Sequence, residues 1–95
     1  MMEMSDKKNT VFLILQDNED ARPIIEAVEL DNPKANIQYQ PGMVRMEGAG
    51  KLVVNRETVE EQIGRDWDVQ ELHLNLVSLA GNVDEDEDKF ELSWH

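Results

Sequence analysis

Apolar and polar positions along the chain divide it into short periodic segments. Residues 10–15 (TVFLIL) form an unbroken, β-branched-rich apolar run too short for a helix, which predicts a strand buried on both faces. Residues 16–20 (QDNED) end it with turn formers. Ala21, Ile24, Ile25 and Val28 then fall at i, i+3, i+4 and i+7, the single apolar stripe of an amphipathic helix. Proline lacks the N–H that interior turns need, so Pro23 belongs to the first turn and points to Asp20 as the cap. Asn32-Pro33 closes the helix.

Ile37 and Tyr39, then Val44 and Met46, alternate with polar neighbours, and residues 51–55 (KLVVN) form a third extended piece. Pro41-Gly42 and Gly48-Ala49-Gly50 separate the three pieces. Turns this close together predict two antiparallel hairpins. A second helix is expected over residues 57–63, with Val59 and Ile63 inward and Gly64 as its stop. Asp68 and Glu71 have capping-box spacing and predict one further helical turn. Leu72, Leu74 and Leu76 alternate with His73 and Asn75, predicting a strand over residues 72–79. Val77 and Leu79 continue it on the opposite parity, which implies a bulge. Ala80-Gly81-Asn82 breaks that strand, residues 84–88 form an acidic loop, and Phe90, Leu92 and Trp94 mark a last amphipathic strand. The sum is an α+β domain of about seven short, mostly antiparallel strands with two or three helices. It covers residues 10–95 behind a flexible lead at 1–9.

Length and composition narrow what such a domain does. Ninety-five residues make one domain, and 40% hydrophobic content in periodic segments outweighs the pull of high charge toward disorder. The net charge of −12 sets the chain against nucleic-acid phosphates and anionic membranes. No apolar run approaches the roughly 20 residues of a membrane helix. With no cysteine, disulfides, thiolate metal sites and a thiol nucleophile are excluded. Together these features predict an acidic domain of the cytoplasm.

Catalytic patterns are missing. Asp84, Asp86 and Asp88 have the first spacings of a calcium loop, but Lys89 stands where its glycine belongs and His95 where its bidentate glutamate belongs. His73 and His95, on separate strands, lack metal-ligand spacing, and His73 reads as a surface histidine. Phosphate-cradling and nucleophile-elbow motifs do not occur. Several segments nevertheless hold more than folding needs. Gln16, Asn18 and Glu19 crowd amides and acids into one loop. Trp67 stands between two aspartates, either as a core plug or as an interface anchor. Ser78, Ala80, Gly81 and Asn82 would let a partner approach the backbone closely.

Residues 15–22 (LQDNEDAR), 31–33 (DNP), 54–61 (VNRETVEE), 64–72 (GRDWDVQEL) and 78–86 (SLAGNVDED) resemble the regulatory, or coupling, components of bacterial multicomponent phenol hydroxylases. That wider family includes the effector proteins of toluene monooxygenases and component B of soluble methane monooxygenase. The resemblance spans about residues 11–94, with no counterpart of the methane enzyme's long N-terminal tail. It implies a non-catalytic, cofactor-free protein, a monomer when free, that docks on the large subunit of a hydroxylase near a carboxylate-bridged diiron centre. A reductase carrying FAD and an iron–sulfur cluster would supply the electrons. Gln16, Asn18, Glu19, Trp67, Ser78, Ala80, Gly81 and Asn82 are the expected contact residues. Asn18 is expected to matter for activation and little for stability. Two competing readings are an acidic protein-binding module that mimics nucleic acid, and a metal-dependent enzyme.

Overall fold

The computed structural model describes residues 10–94; the lead expected at residues 1–9, and His95, lie outside the described residues. In chain order the elements are β1 (Thr10–Gln16), α1 (Arg22–Asp31), β2 (Asn36–Gln40), β3 (Met43–Ala49), β4 (Lys51–Asn55), α2 (Arg56–Ile63), a 3₁₀ segment (Val69–Asn75), β5 (Leu76–Ala80), β6 (Asn82–Glu85) and β7 (Lys89–Ser93). All strand pairs are antiparallel, and the whole is the α+β domain that the apolar periodicity predicts.

The strands form a four-stranded sheet in the order β2-β3-β1-β5 and a three-stranded sheet in the order β4-β7-β6. Two chain segments pass from the first sheet to the second. β3 becomes β4 through Gly50 (φ +85°), and β5 becomes β6 through Gly81 (φ +130°). Each crossing takes one residue, the way a strand turns the corner between two packed sheets. A Cβ on Gly81 would lie 2.9 Å from Val11 Cγ1, and one on Gly48 would lie 2.4 Å from the Lys51 carbonyl oxygen. The chain therefore passes its neighbours too closely for a side chain at Gly81 and at Gly48, while Gly50 serves through its backbone angle alone. The hairpin expected at Gly48-Ala49-Gly50 does not form. β4 pairs with β7 instead of β3, because the glycine bend carries the chain into the other sheet.

One apolar core lies between these layers. Val11, Leu13 and Leu15 of β1, Val44 and Met46 of β3, Leu52 and Val54 of β4, and Phe90 and Leu92 of β7 are buried. Ile24, Ile25, Ala27 and Val28 of α1 complete it. β1 is not buried on both faces as expected. Phe12 and Ile14, on its other face, are only half-buried, and the Arg45 guanidinium covers the Phe12 ring at 4.1 Å.

The helix ends have local causes. Pro23 sits in the first turn of α1, as the missing N–H requires. The residue before the helix is Ala21, however, and Asp20 makes no cap. Asn18 takes that role one turn earlier, its Oδ1 accepting the Ala21 N–H at 2.8 Å. At the far end the Asn32 amide joins α1 to β4. Its Nδ2 donates to the Val28 and Val53 carbonyls at 2.9 and 2.8 Å, and its Oδ1 accepts the Val53 N–H at 3.0 Å. α2 ends on Gly64 (φ +83°), whose N–H reaches the Glu60 carbonyl at 2.8 Å.

The strand expected over residues 72–79 begins only at Leu76. The capping box at Asp68 and Glu71 does form, and it launches a seven-residue 3₁₀ segment instead of a single turn. In that segment Val69, Leu72 and Asn75 are buried at the i, i+3, i+6 spacing proper to three residues per turn. His73 is consequently on this segment and on no strand. The bulge is present: Ile14 pairs with Ser78 and Leu15 with Leu76, leaving Val77 extra. The acidic run is only partly a loop. Asp84 and Glu85 belong to β6, and Asp86 Oδ1 closes the following turn by accepting the Asp88 and Lys89 N–H groups at 2.8 and 3.0 Å. Trp94 lies beyond β7 and is 45% exposed, so it does not extend the inward row of Phe90 and Leu92.

Two expectations test this packing. Gly81→Ala combines a strained φ with a steric clash, so urea denaturation should show a loss of about 2 kcal/mol or more; an unchanged midpoint contradicts the corner. Glu91 is held below the usual carboxylate range, first by the hydrogen bond from Lys89 (2.8 Å) and then by Lys51 at 3.3 Å. A carboxyl depressed on folding stabilises above its unfolded pKa and loses that contribution as pH falls through the lower folded value. Glu91→Gln is therefore less stable than the parent at pH 7, and the gap closes as the pH drops below about 4.3. A gap that stays constant down to pH 2 rules out this role for the carboxylate.

Candidate functional site

Seven of the eight expected contact residues fall along one structural feature. Among the described residues, β5 is the outer strand of its sheet and pairs only with β1, which leaves its other edge without a strand partner there. Five residues of strand extend about 17 Å. At the start of β5 lie Gln16, Asn18 and Glu19, the end of β1 and the loop after it. Gln16 and Glu19 are exposed, and Asn18 is half-buried. Along the strand, Ser78 is exposed opposite Ile14, and Ala80 is half-buried opposite Phe12. At its far end Gly81 makes the corner, and the exposed Asn82 opens β6, with its Nδ2 3.5 Å from the Ser93 carbonyl.

Trp67 is the exception. It is 4% exposed and packs in the core, while its backbone N–H donates to Glu60 Oε2 at 2.9 Å. The core-plug reading describes it. Its bulk sets where the loop after α2 sits, and the indole presents no broad outer face.

Sequence periodicity missed three residues of this strip. Leu74 and Val77 are 76% and 47% exposed, among the few large apolar side chains facing solvent. Their alternation with Leu72 and Leu76 assigned Leu74 to the core, and only the three-residue period set up by the capping box turns it outward. Asn75, by contrast, is buried. Its Oδ1 accepts a hydrogen bond from Asn18 Nδ2 at 2.9 Å, across 57 positions of sequence. The same Asn18 amide group lies 3.3 Å from Gln16 Oε1.

Charge separates this strip from the rest of the surface. Charged residues make up 32% of the chain, yet residues 74–83 (LNLVSLAGNV) contain none. Small, amide and apolar groups beside a free strand edge form the kind of surface that loses little hydration when covered, as the charge-poor centres of protein interfaces do. Among the described residues, no group of three or more His, Asp or Glu side chains is placed to hold a metal ion. His73 is occupied: its Nε2 lies 2.8 Å from Glu85 Oε1, and its ring meets Phe90 edge-on at 5.9 Å. Among the described residues, no helix is long and apolar enough to cross a membrane.

The fold and this strip define a small α+β protein equipped for contact, with its distinctive residues laid out along an edge. The chain belongs to the MmoB/DmpM family, whose model matches residues 9–93. It is 49% identical over 84 residues to the stimulatory component DmpM of phenol 2-monooxygenase from Pseudomonas sp. (strain CF600), covering 88% of this chain and 93% of that one. A chain in a solved phenol hydroxylase–regulatory protein complex superposes with a TM-score of 0.87 at 56% identity, covering 90% of this chain and 99% of that one. The regulatory protein B of soluble methane monooxygenase shares the fold at a TM-score of 0.71 and 24% identity, covering 90% of this chain and 65% of that one.

Asn18 now has a structural duty that its sequence context hid, since it caps the approach to α1 and ties down Asn75. Asn18→Ala should lower stability by about 1 kcal/mol in thermal or urea denaturation, in place of the neutral effect expected from sequence. A midpoint equal to the parent's shows these hydrogen bonds to be unimportant.

Proposed function

We propose that this protein is the regulatory component of a multicomponent phenol hydroxylase and that it acts by binding the hydroxylase. The observation that carries this reading is the 49% identity, over nearly the full length of both chains, to a stimulatory component of phenol 2-monooxygenase. The protein supplies contact surface and no reactive group. A partner without catalytic groups accelerates a reaction only by binding one conformation of the enzyme better than another. Raising the competent fraction tenfold takes about 1.4 kcal/mol of differential binding. An interface burying ~800 Å² on each partner readily supplies it.

The β5 strip is the contact surface in this reading. Gln16, Asn18, Glu19, Ser78, Ala80, Gly81 and Asn82 border it, and Leu74 and Val77 add apolar anchors. Trp67 supports it from within. The covered face lies on the hydroxylase large subunit near the diiron centre, where exclusion of water protects activated oxygen from unproductive reduction. Residues 10–95 act as one regulatory unit, monomeric when free, and bind no cofactor themselves. The iron belongs to the hydroxylase, and the FAD and iron–sulfur cluster belong to the reductase. In this reading the reductase draws its electrons from NADH, and the protein works in the cytoplasm. The charge of −12, of which only Glu19 falls among the proposed contacts, lies outside residues 74–83. It speeds encounter with a basic partner surface, and this effect fades as salt rises.

Reconstitution tests the proposal. Hydroxylase and reductase should oxidise phenol faster, and with less NADH wasted per product, when this protein is added; equal rate and equal coupling without it defeat the reading. Val77→Asp sets a charge on the exposed bulge. It should raise the half-saturating concentration about tenfold or more while the melting temperature stays near the parent's. Full activity at parental concentrations removes β5 from the interface.

A further inference from the structure

The two sides of the proposed contact strip come from opposite halves of the chain, and the sheet does not hold them together where they meet. The β1–β5 ladder is irregular at its end, slipping between Ile14 and Leu15 and leaving Val77 extra. Beyond Leu15 and Leu76 the loop of residues 17–21 and the 3₁₀ segment run side by side. Two amides connect them. Asn18 Oδ1 is committed to the Ala21 N–H at 2.8 Å, so its Nδ2 must face the other way, where Asn75 Oδ1 receives it at 2.9 Å.

Asn75 is unusual for its place. It is the sole polar residue counted as buried among the described residues, at 8% exposure. It occupies the third inward position of the 3₁₀ segment, after Val69 and Leu72, where packing alone would select another apolar side chain. In a 3₁₀ turn successive side chains diverge by about 120°. Fixing Asn75 inward therefore sets the outward direction of Leu74, 76% exposed, and the start of the bulge that exposes Val77.

We propose that Asn75 is a positioning residue for hydroxylase binding: its amide, held by Asn18, fixes the loop carrying Gln16 and Glu19 relative to the outward Leu74 and Val77. This rests on the regulatory function proposed above. Partner affinity depends on presenting both sides at one separation, since a surface that must be ordered on binding loses affinity. Asn75 itself touches no partner.

The test titrates full-length variants into hydroxylase and reductase and follows phenol oxidation, with the folded fraction of each variant read from circular dichroism at the assay temperature. Asn75→Ala should raise the half-saturating concentration, counted per folded molecule, about five- to tenfold, with the maximal stimulated rate near the parent's. The double variant Asn18→Ala/Asn75→Ala should bind no more weakly than Asn18→Ala alone, because the second change removes a contact already lost. Asn32→Ala, which breaks the α1–β4 amide contacts with Val53 and involves no residue of the strip, should keep the parental half-saturation per folded molecule. Parental half-saturation by Asn75→Ala, additive losses in the double variant, or an equal loss from Asn32→Ala overturns the positioning role. No stimulation by the parent chain overturns the regulatory function itself, and the two failures are thereby told apart.

Discussion

Two glycine corners hold this architecture together. At Gly50 and at Gly81 the chain leaves one sheet and enters the other within a single residue, with φ values that side chains resist. Both corners flank a central strand. β1 lies between β3 and β5 in the first sheet, and β7 lies between β4 and β6 in the second. The bent segments β3–β4 and β5–β6 thus clamp the two sheets around one core. A chain of 95 residues without disulfides has little apolar surface to spare, and this geometry commits the inner face of both sheets to the same interior.

The same constraint bears on where a partner would bind under the proposed function. With the inner faces consumed, recognition falls to edges and outer faces, and β5 is an edge that also begins at a bulge and ends at a glycine corner. Its residues are uncharged within a strongly acidic chain. Charge and the proposed contact strip are therefore divided between different parts of the chain, with no charged residue over positions 74–83. Free edges invite unwanted strand pairing. The bulge at Val77 and the 3₁₀ segment before it interrupt the regular ladder and make this edge a poor template for one.

Most of the fold was legible in short-range pattern. The α1 stripe, the position of Pro23, the stop at Gly64 and the capping box at Asp68 all depend on neighbours within one or two turns, and all appear in the structure. The errors arose where two local readings fit equally and a distant partner decides. Leu72, Leu74 and Leu76 suit a strand, whereas Val69, Leu72 and Asn75 suit a three-residue period; the core beneath Leu72 selects the second. Gly48-Ala49-Gly50 has the composition of a hairpin, but β7, some forty residues later, captures the next strand. Asp20 has the right chemistry for a cap, yet Asn18 does the work, its Oδ1 accepting the Ala21 N–H while its Nδ2 reaches Asn75. The proposed contact strip corresponds to a group of segments richer than folding requires. Its apolar members, Leu74 and Val77, were not legible, because alternation assigned one of them inward and strand parity says nothing about which edge of a sheet stays open.

Under the proposed function, this protein changes a reaction through binding energy alone, by preferring one form of its hydroxylase. Such preference is reciprocal, since a component that shifts the enzyme between forms must itself bind those forms unequally. The most direct measurement is its Kd for resting hydroxylase and for chemically reduced, phenol-loaded hydroxylase, taken by the same method at the same salt. Two different constants are expected, and equal affinity for the two forms would show that the protein prefers neither.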